Sequence, residues 1–176
     1  RDVMLLDKIT FFKSKRYLCV IFYIISGFIF LTLIPYIGST FQPKLVLGIF
    51  ILTWTNDTFA YLIGKRFGKR KLKEKISPKK TIEGFIGGLL AALIGGVIIF
   101  NTTLLYSPVF WLLLALLVSI LGTTGDLIQS KFKRLAGVKD SGRIMPGHGG
   151  VYDRLDSIIF ASPFIYLFII FINYVS

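Results

Sequence analysis

Residues 139–156, KDSGRIMPGHGGVYDRLD, put acids, cations and closely spaced glycines side by side. Asp153 and Asp156 stand three residues apart, which places both carboxylates on one face if the segment is helical. Carboxylates near a membrane surface suit Mg²⁺, an ion that keeps several waters and bridges substrate phosphates. Lys139, Arg143 and Arg154 can neutralise phosphate charge, and Gly147, Gly149 and Gly150 let backbone N–H groups approach an anion closely. Two further acids have the same potential: Asp126 in GTTGDLIQSKFKR and Asp57 in WTNDTFAYLIGKRFGK. Together these groups suggest phosphoryl or nucleotidyl transfer between anionic substrates, and they do not identify the nucleotide. The chain has one Cys and one His, so neither a disulfide nor a zinc cage is available.

The elements that must position these groups are membrane spans. The chain is 54% hydrophobic and 17% charged over 176 residues, yet carries a net charge of +12, a combination foreign to soluble domains. Five runs of about 20 apolar residues are long enough to cross a bilayer: 17–37, 45–64, 82–100, 108–128 and 155–175. The first follows a basic segment as a signal peptide would, but its apolar run is too long and no small-residue cleavage site follows. The fold class expected is therefore an all-α, polytopic membrane bundle whose polar loops carry the chemistry.

Charge orients the bundle. Lys and Arg number five in residues 1–16, nine in 65–80 and six in 129–154, against one in the loop 38–44 and none in 101–107. With five spans, the three basic segments share one side, which the positive-inside rule makes cytoplasmic. Asp57 lies seven residues before Gly64, about 10 Å below the end of its helix. Asp126 lies about one turn inside the fourth span, and Asp153 and Asp156 open the fifth. All four acids thus lie toward the basic side, where a structural reading would pair them with the neighbouring Lys and Arg. A charge within the bilayer more often marks function or a wet cavity. Gly84, Gly88, Ala92 and Gly96 form a smooth stripe along the third span, expected to admit a neighbouring helix at close range. The run GKRFGKRKLKEK reads equally as an orientation signal or a contact with anionic lipid.

SKFKRLAGVKDSG followed by PGHGGVYDRLDS resembles the signature of the phosphatidate cytidylyltransferase (CDP-diacylglycerol synthase) family. The resemblance extends to SPKKTIEGFIGG at 77–88 and to WTNDTFAYLIGKRFGK at 54–69, so motifs cover roughly residues 54–157 and leave the first fifty unmatched. Such a composite signature is specific in a way that a lone glycine pattern is not. Members of the family are generally longer, so residues 1–176 are expected to form a single membrane catalytic domain from the C-terminal part of a larger protein.

The resemblance implies a reaction in which CTP and phosphatidic acid give CDP-diacylglycerol and pyrophosphate with Mg²⁺, one cation or two being left open. It implies membrane lipids as partners, no nucleic acid, and a bacterial inner-membrane location with the site facing the cytoplasm; a homodimer is left open. Asp126 and Asp153 are the leading metal ligands, with Asp156 a third ligand or an outer partner. Lys133, Arg134, Lys139 and Arg154 are expected on phosphates, with Ser77, Lys79 and Lys80 forming a second anion contact. Asn56, Asp57 and Ser130 are further expected substrate contacts. His148 is read as a hydrogen-bonding or loop-ordering residue, because a phosphate nucleophile is already ionised and needs no strong base. Three other functions compete. A CDP-alcohol phosphotransferase would need DG-x₂-AR and a wider acid spacing. A CTP-dependent polyprenol kinase would release CDP rather than pyrophosphate. A transporter using Asp57 and Asp126 leaves the GHGG loop unexplained.

Overall fold

The computed structural model describes residues 10–37, 41–74, 76–135, 137–138, 141, 150 and 152–175, with the side chains of 10–20 and of 154 outside the description. Five α-helices carry the architecture: α1 (Thr10–Leu33), α2 (Pro43–Phe67), α3 (Ile82–Thr103), α4 (Pro108–Leu135) and α5 (Tyr152–Val175). Among the described residues, four segments are long and apolar enough to cross a membrane: Pro43–Phe67, Ile82–Thr103, Pro108–Leu135 and Leu155–Val175. The described apolar part of the first helix, Ile21–Tyr36, is shorter. The all-α membrane bundle expected from the sequence is thus the architecture observed, with one addition. Between α2 and α3 the basic segment folds into a short antiparallel hairpin, β1 (Lys71–Lys73) and β2 (Ser77–Thr81), paired Lys71 to Thr81 and Lys73 to Ser77 across an irregularity.

Lysine-rich strands have little intrinsic β preference, and the hairpin is held by its surroundings instead. The Glu83 carboxylate accepts the backbone N–H groups of Lys69 (3.1 Å) and Arg70 (3.2 Å), while Ile82 N–H donates to Arg70 O. Thr81 caps α3 by accepting from Gly84 N–H at 3.1 Å. A Cβ at Gly64 would fall 2.9 Å from Thr81 Oγ1, so a glycine there lets the end of α2 lie against the cap.

α2 packs on α3, α3 on α4, and α4 on α5, with α1 against α5. The expected glycine stripe is the seam of the first two of these contacts. A Cβ at Gly84 would fall 2.6 Å from Ala60 O, and one at Gly88 2.6 Å from Asn56 O, while at Gly96 it would meet Trp111 O at 2.9 Å. α3 therefore uses two glycines to approach the α2 backbone and a third to approach α4. α1 and α5 run side by side in the same direction: Tyr23 lies near Phe160, Ser162 Oγ donates to Gly27 O (2.7 Å), and Phe30 lies near Tyr166. That parallel pairing is what an odd number of spans between the two helices requires. Each helix extends at one end or both past the apolar limits read from the sequence. α2 continues to Phe67, and α4 runs to Leu135, two turns beyond Ile128, so its basic last turn projects from the end of the bundle.

Candidate active site

A cavity of about 690 Å³ opens at the basic end of the bundle, between the C-terminal half of α2, the hairpin, the start of α3, the second half of α4 and the start of α5. Asn56, Asp57, Lys79, Lys80, Asp126, Asp153 and Asp156, singled out on separate stretches of sequence, all line it. Trp54, Thr123 and Ser157 complete much of its polar and aromatic wall. The convergence follows from the topology. α2 and α4 end at the basic face, α3 and α5 begin there, and the acids lie within a few turns of those ends.

Each carboxylate has a different environment. Asp126 pairs with Lys80 across the cavity and accepts Ser130 Oγ–H at 3.1 Å. Asp156 is buried, and its Oδ1 accepts Ser157 N–H at 2.8 Å. Asp57 takes Asn56 Nδ2–H at 3.2 Å, while the buried Asn56 Oδ1 has no partner among the described residues. Asp153 is the most heavily bonded. Its Oδ1 accepts from Lys133 Nζ (2.9 Å), and its Oδ2 from Ser141 N–H (2.8 Å), Ser141 Oγ (2.9 Å) and Gly150 N–H (2.9 Å). Desolvation works against its charge, but the Lys133 ammonium, the two amides and the Ser141 hydroxyl outweigh it and hold the carboxyl well below the usual range. Asp153 therefore acts as a clasp, joining α5 to the end of α4 and to both Ser141 and Gly150. Beside it, burial and the charges of Asp156 and Asp153 push the Tyr152 phenol up to about 12, so it stays a neutral hydroxyl.

The donor set fits a hard cation in part. Among the described residues no three of His, Cys, Asp and Glu converge tightly enough to form an all-protein metal cage. Mg²⁺ does not need one, since it commonly takes one or two carboxylates and leaves its other positions to water and phosphate. Asp126 and Asp156 meet that lesser requirement, whereas Asp153 could contribute only through Oδ1, because three donors already occupy Oδ2.

Other expected site residues fall elsewhere. Lys133 and Ser130 reach the site through Asp153 and Asp126. Ser77 sits on β2 but is not among the residues lining the cavity, and neither is Arg134, whose guanidinium donates to Val138 O (3.4 Å) at the end of α4. Lys139, His148 and the side chain of Arg154 lie outside the described residues. The structure adds a residue that no motif marked: Tyr23 of α1, wedged between Phe132 and Phe160, with a buried hydroxyl that has no hydrogen-bond partner among the described residues. Its ring lies within electrostatic reach of Tyr152, Asp156 and Asp126. A lone Tyr in an apolar span carries no sequence signal, and only the parallel packing of α1 on α5 brings it here.

Residues 3–172 match the model of the cytidylyltransferase family. A phosphatidate cytidylyltransferase of Staphylococcus haemolyticus (strain JCSC1435) is 48% identical over 132 residues, covering 71% of this chain and 48% of the relative. One from Bacillus subtilis (strain 168) is 48% identical over 117 residues, 66% of this chain and 44% of the relative. A Staphylococcus saprophyticus relative of the same name is 40% identical over 171 residues, 93% of this chain and 62% of that protein. The chain spans about half the length of most of these curated relatives. With a family match over nearly its whole length and motifs converging on one cavity, the chain belongs to the cytidylyltransferase family.

Proposed function

We propose that the chain is the catalytic portion of a phosphatidate cytidylyltransferase, transferring cytidylate from CTP to phosphatidic acid. The observation that carries this reading is a cavity in which carboxylates from three helices face two hairpin lysines at the basic end of a membrane bundle. Its polar end suits a triphosphate, and its position at the helix ends suits a lipid whose phosphate sits at bilayer level. In the reaction, a phosphate oxygen of phosphatidic acid attacks the α-phosphorus of CTP in line. The bond from that phosphorus to the α–β bridging oxygen breaks, and pyrophosphate leaves with the electron pair.

The protein's task is to align two anions and spread charge, which needs no covalent intermediate. Lys79 and Lys80 approach the phosphates from the hairpin. Asp126 and Asp156 would hold Mg²⁺, with Asp153 contributing through Oδ1, and a second cation is open. Mg²⁺ would supply charge neutralisation at the phosphate oxygens. Lys133 orients Asp153, and Asn56 with Asp57 forms the deep wall. Lys139, Arg154 and Arg134 are further phosphate partners, and His148 is a hydrogen-bond donor of the loop. The basic face is cytoplasmic, in a bacterial inner membrane.

Incubation of the purified chain with labelled CTP, phosphatidic acid and Mg²⁺ should yield lipid-bound cytidylate and pyrophosphate. CDP release instead would indicate a kinase, and silence here with activity in a longer form would assign a role to the additional residues. Cysteines placed in 65–80 should react with impermeant reagents only from the cytoplasmic side and those in 101–107 only from outside. The reverse pattern would overturn the orientation.

A further inference from the structure

The geometry points to Lys80 as a resident counter-ion of the carboxylate cluster, which a divalent cation displaces and which then turns onto the substrate phosphates. This inference rests on the cation site proposed above and adds to it a competition within the protein itself. Lys80 is the penultimate residue of β2, and its ammonium pairs with Asp126 inside the cavity. Asp57 and Asp156 line the same cavity, where the Lys80 charge reaches both of them and the Lys133 charge also reaches Asp156. Among the described residues neither Asp57 nor Asp156 has an ion-pair partner of its own, and Asp153 already has Lys133. Without a cation between them, three carboxylates sharing one cavity would repel one another in a low-dielectric setting, and Lys80 answers that repulsion.

A divalent ion taking Asp126 and Asp156 would meet the ammonium at close range, so the two cannot occupy the cluster together. Lys80 can leave without unfolding anything. Its backbone is fixed beside the Thr81 cap and the Glu83 contacts to Lys69 and Arg70, while the ammonium rides on a flexible four-carbon stem. Partly exposed in a cavity that also holds Lys79, it has room to swing to an incoming triphosphate. The same residue thus weakens cation binding in the empty protein and strengthens nucleotide binding once the cation is in place. Cation and nucleotide become positively coupled through one side chain.

The two roles give opposite signs in one variant. Mn²⁺ binding to the purified chain in nanodiscs, followed by paramagnetic resonance without nucleotide, should tighten about tenfold in Lys80→Met, a typical size for a coupling between sites. CTP binding to the same variant at saturating Mn²⁺ should weaken by a similar factor. Lys80→Arg keeps the charge and should bind Mn²⁺ like the wild type, as should Lys71→Met, which removes an exposed hairpin charge outside the cavity. Equal or weaker Mn²⁺ binding in a folded Lys80→Met protein would overturn the inference, and so would tightening in Lys80→Arg. Failure of the wild type to bind Mn²⁺ would appear before any variant is made and would overturn the cation site together with this inference.

Discussion

At the end of the bundle bearing the uncharged loop, Trp111 is fully buried between α2, α3 and α4, and its indole N–H donates to Leu105 O at 2.7 Å. A Cβ at Gly48 would fall 2.5 Å from its ring, and Ile49, Leu52, Ala92, Leu114 and Ala115 belong to the same buried apolar core. At the basic end α2 and α3 come together through Gly84 and Gly88, yet the space they share with α4 and α5 does not close. α4 presents Thr123 and Asp126, α2 presents Asn56 and Asp57, and α5 enters with Asp153 and Asp156, so the interior is an open polar cavity. One packing device, a glycine at a helix crossing, serves both ends, and the side chains opposite it decide the result. A large aromatic fills the space, whereas short acids that repel one another and retain water keep it open. Stability should therefore concentrate at the Trp111 end and chemistry at the basic end.

Asp126→Asn probes that division hardest. It keeps size and hydrogen bonding but removes a carboxylate charge, so turnover should fall by roughly 10³-fold or more while folded yield is retained. Adding Asp153→Asn should cost little further, as for residues that act as a unit. Survival of both turnover and Mn²⁺ binding in Asp126→Asn would return the acids to structural ion pairing. Trp111→Ala tests the other end and should cost about 3–5 kcal/mol of stability through the cavity it leaves. The folded fraction should bind Mn²⁺ as before, and a loss of Mn²⁺ binding there would mean the two ends are not separable.

Lys133→Met makes a smaller cut within the basic end. With its amine gone, Asp153 loses the donor to Oδ1, and we expect turnover to fall about 10- to 100-fold, as for residues that support a site at one remove. Hydrogen exchange at the Ser141 and Gly150 amides should quicken at the same time. Unchanged exchange would show that Lys133 does not hold the clasp. The smallest effect is with pH. The folded Asp153 carboxyl is held below its unfolded value of about 4, so its contribution is fully present above that value and is lost only as pH falls through the folded one. Protection of the Ser141 and Gly150 amides should therefore stay constant across neutral pH and disappear only in strong acid. A loss already near pH 6 would contradict the clasp.

Much of this arrangement is legible in the amino-acid sequence. Apolar run length, the sidedness of Lys and Arg, and the four-residue glycine spacing are local or additive quantities, and they delimit the spans, the shared face and a stripe of α3 open to close neighbours, but not which helices those neighbours are. The hairpin is less legible, because the Glu83 contacts and the Thr81 cap that hold a lysine-rich segment in strands are tertiary. Tyr23 is invisible in the sequence for the same reason.

That charged and apolar segments alternate, that the acids gather toward one face and that the motifs point to one family can all be read along the chain, because hydrophobic transfer and charge asymmetry sum over residues without reference to partners. How those acids differ emerges only on packing: Asp153 clasped by four donors, Asp126 paired with a lysine from the hairpin, Asp156 buried beside it. Those roles depend on how each helix is rotated and which neighbour it meets, and a carboxylate's chemistry is set by the groups within a few ångströms of it rather than by its place in the chain.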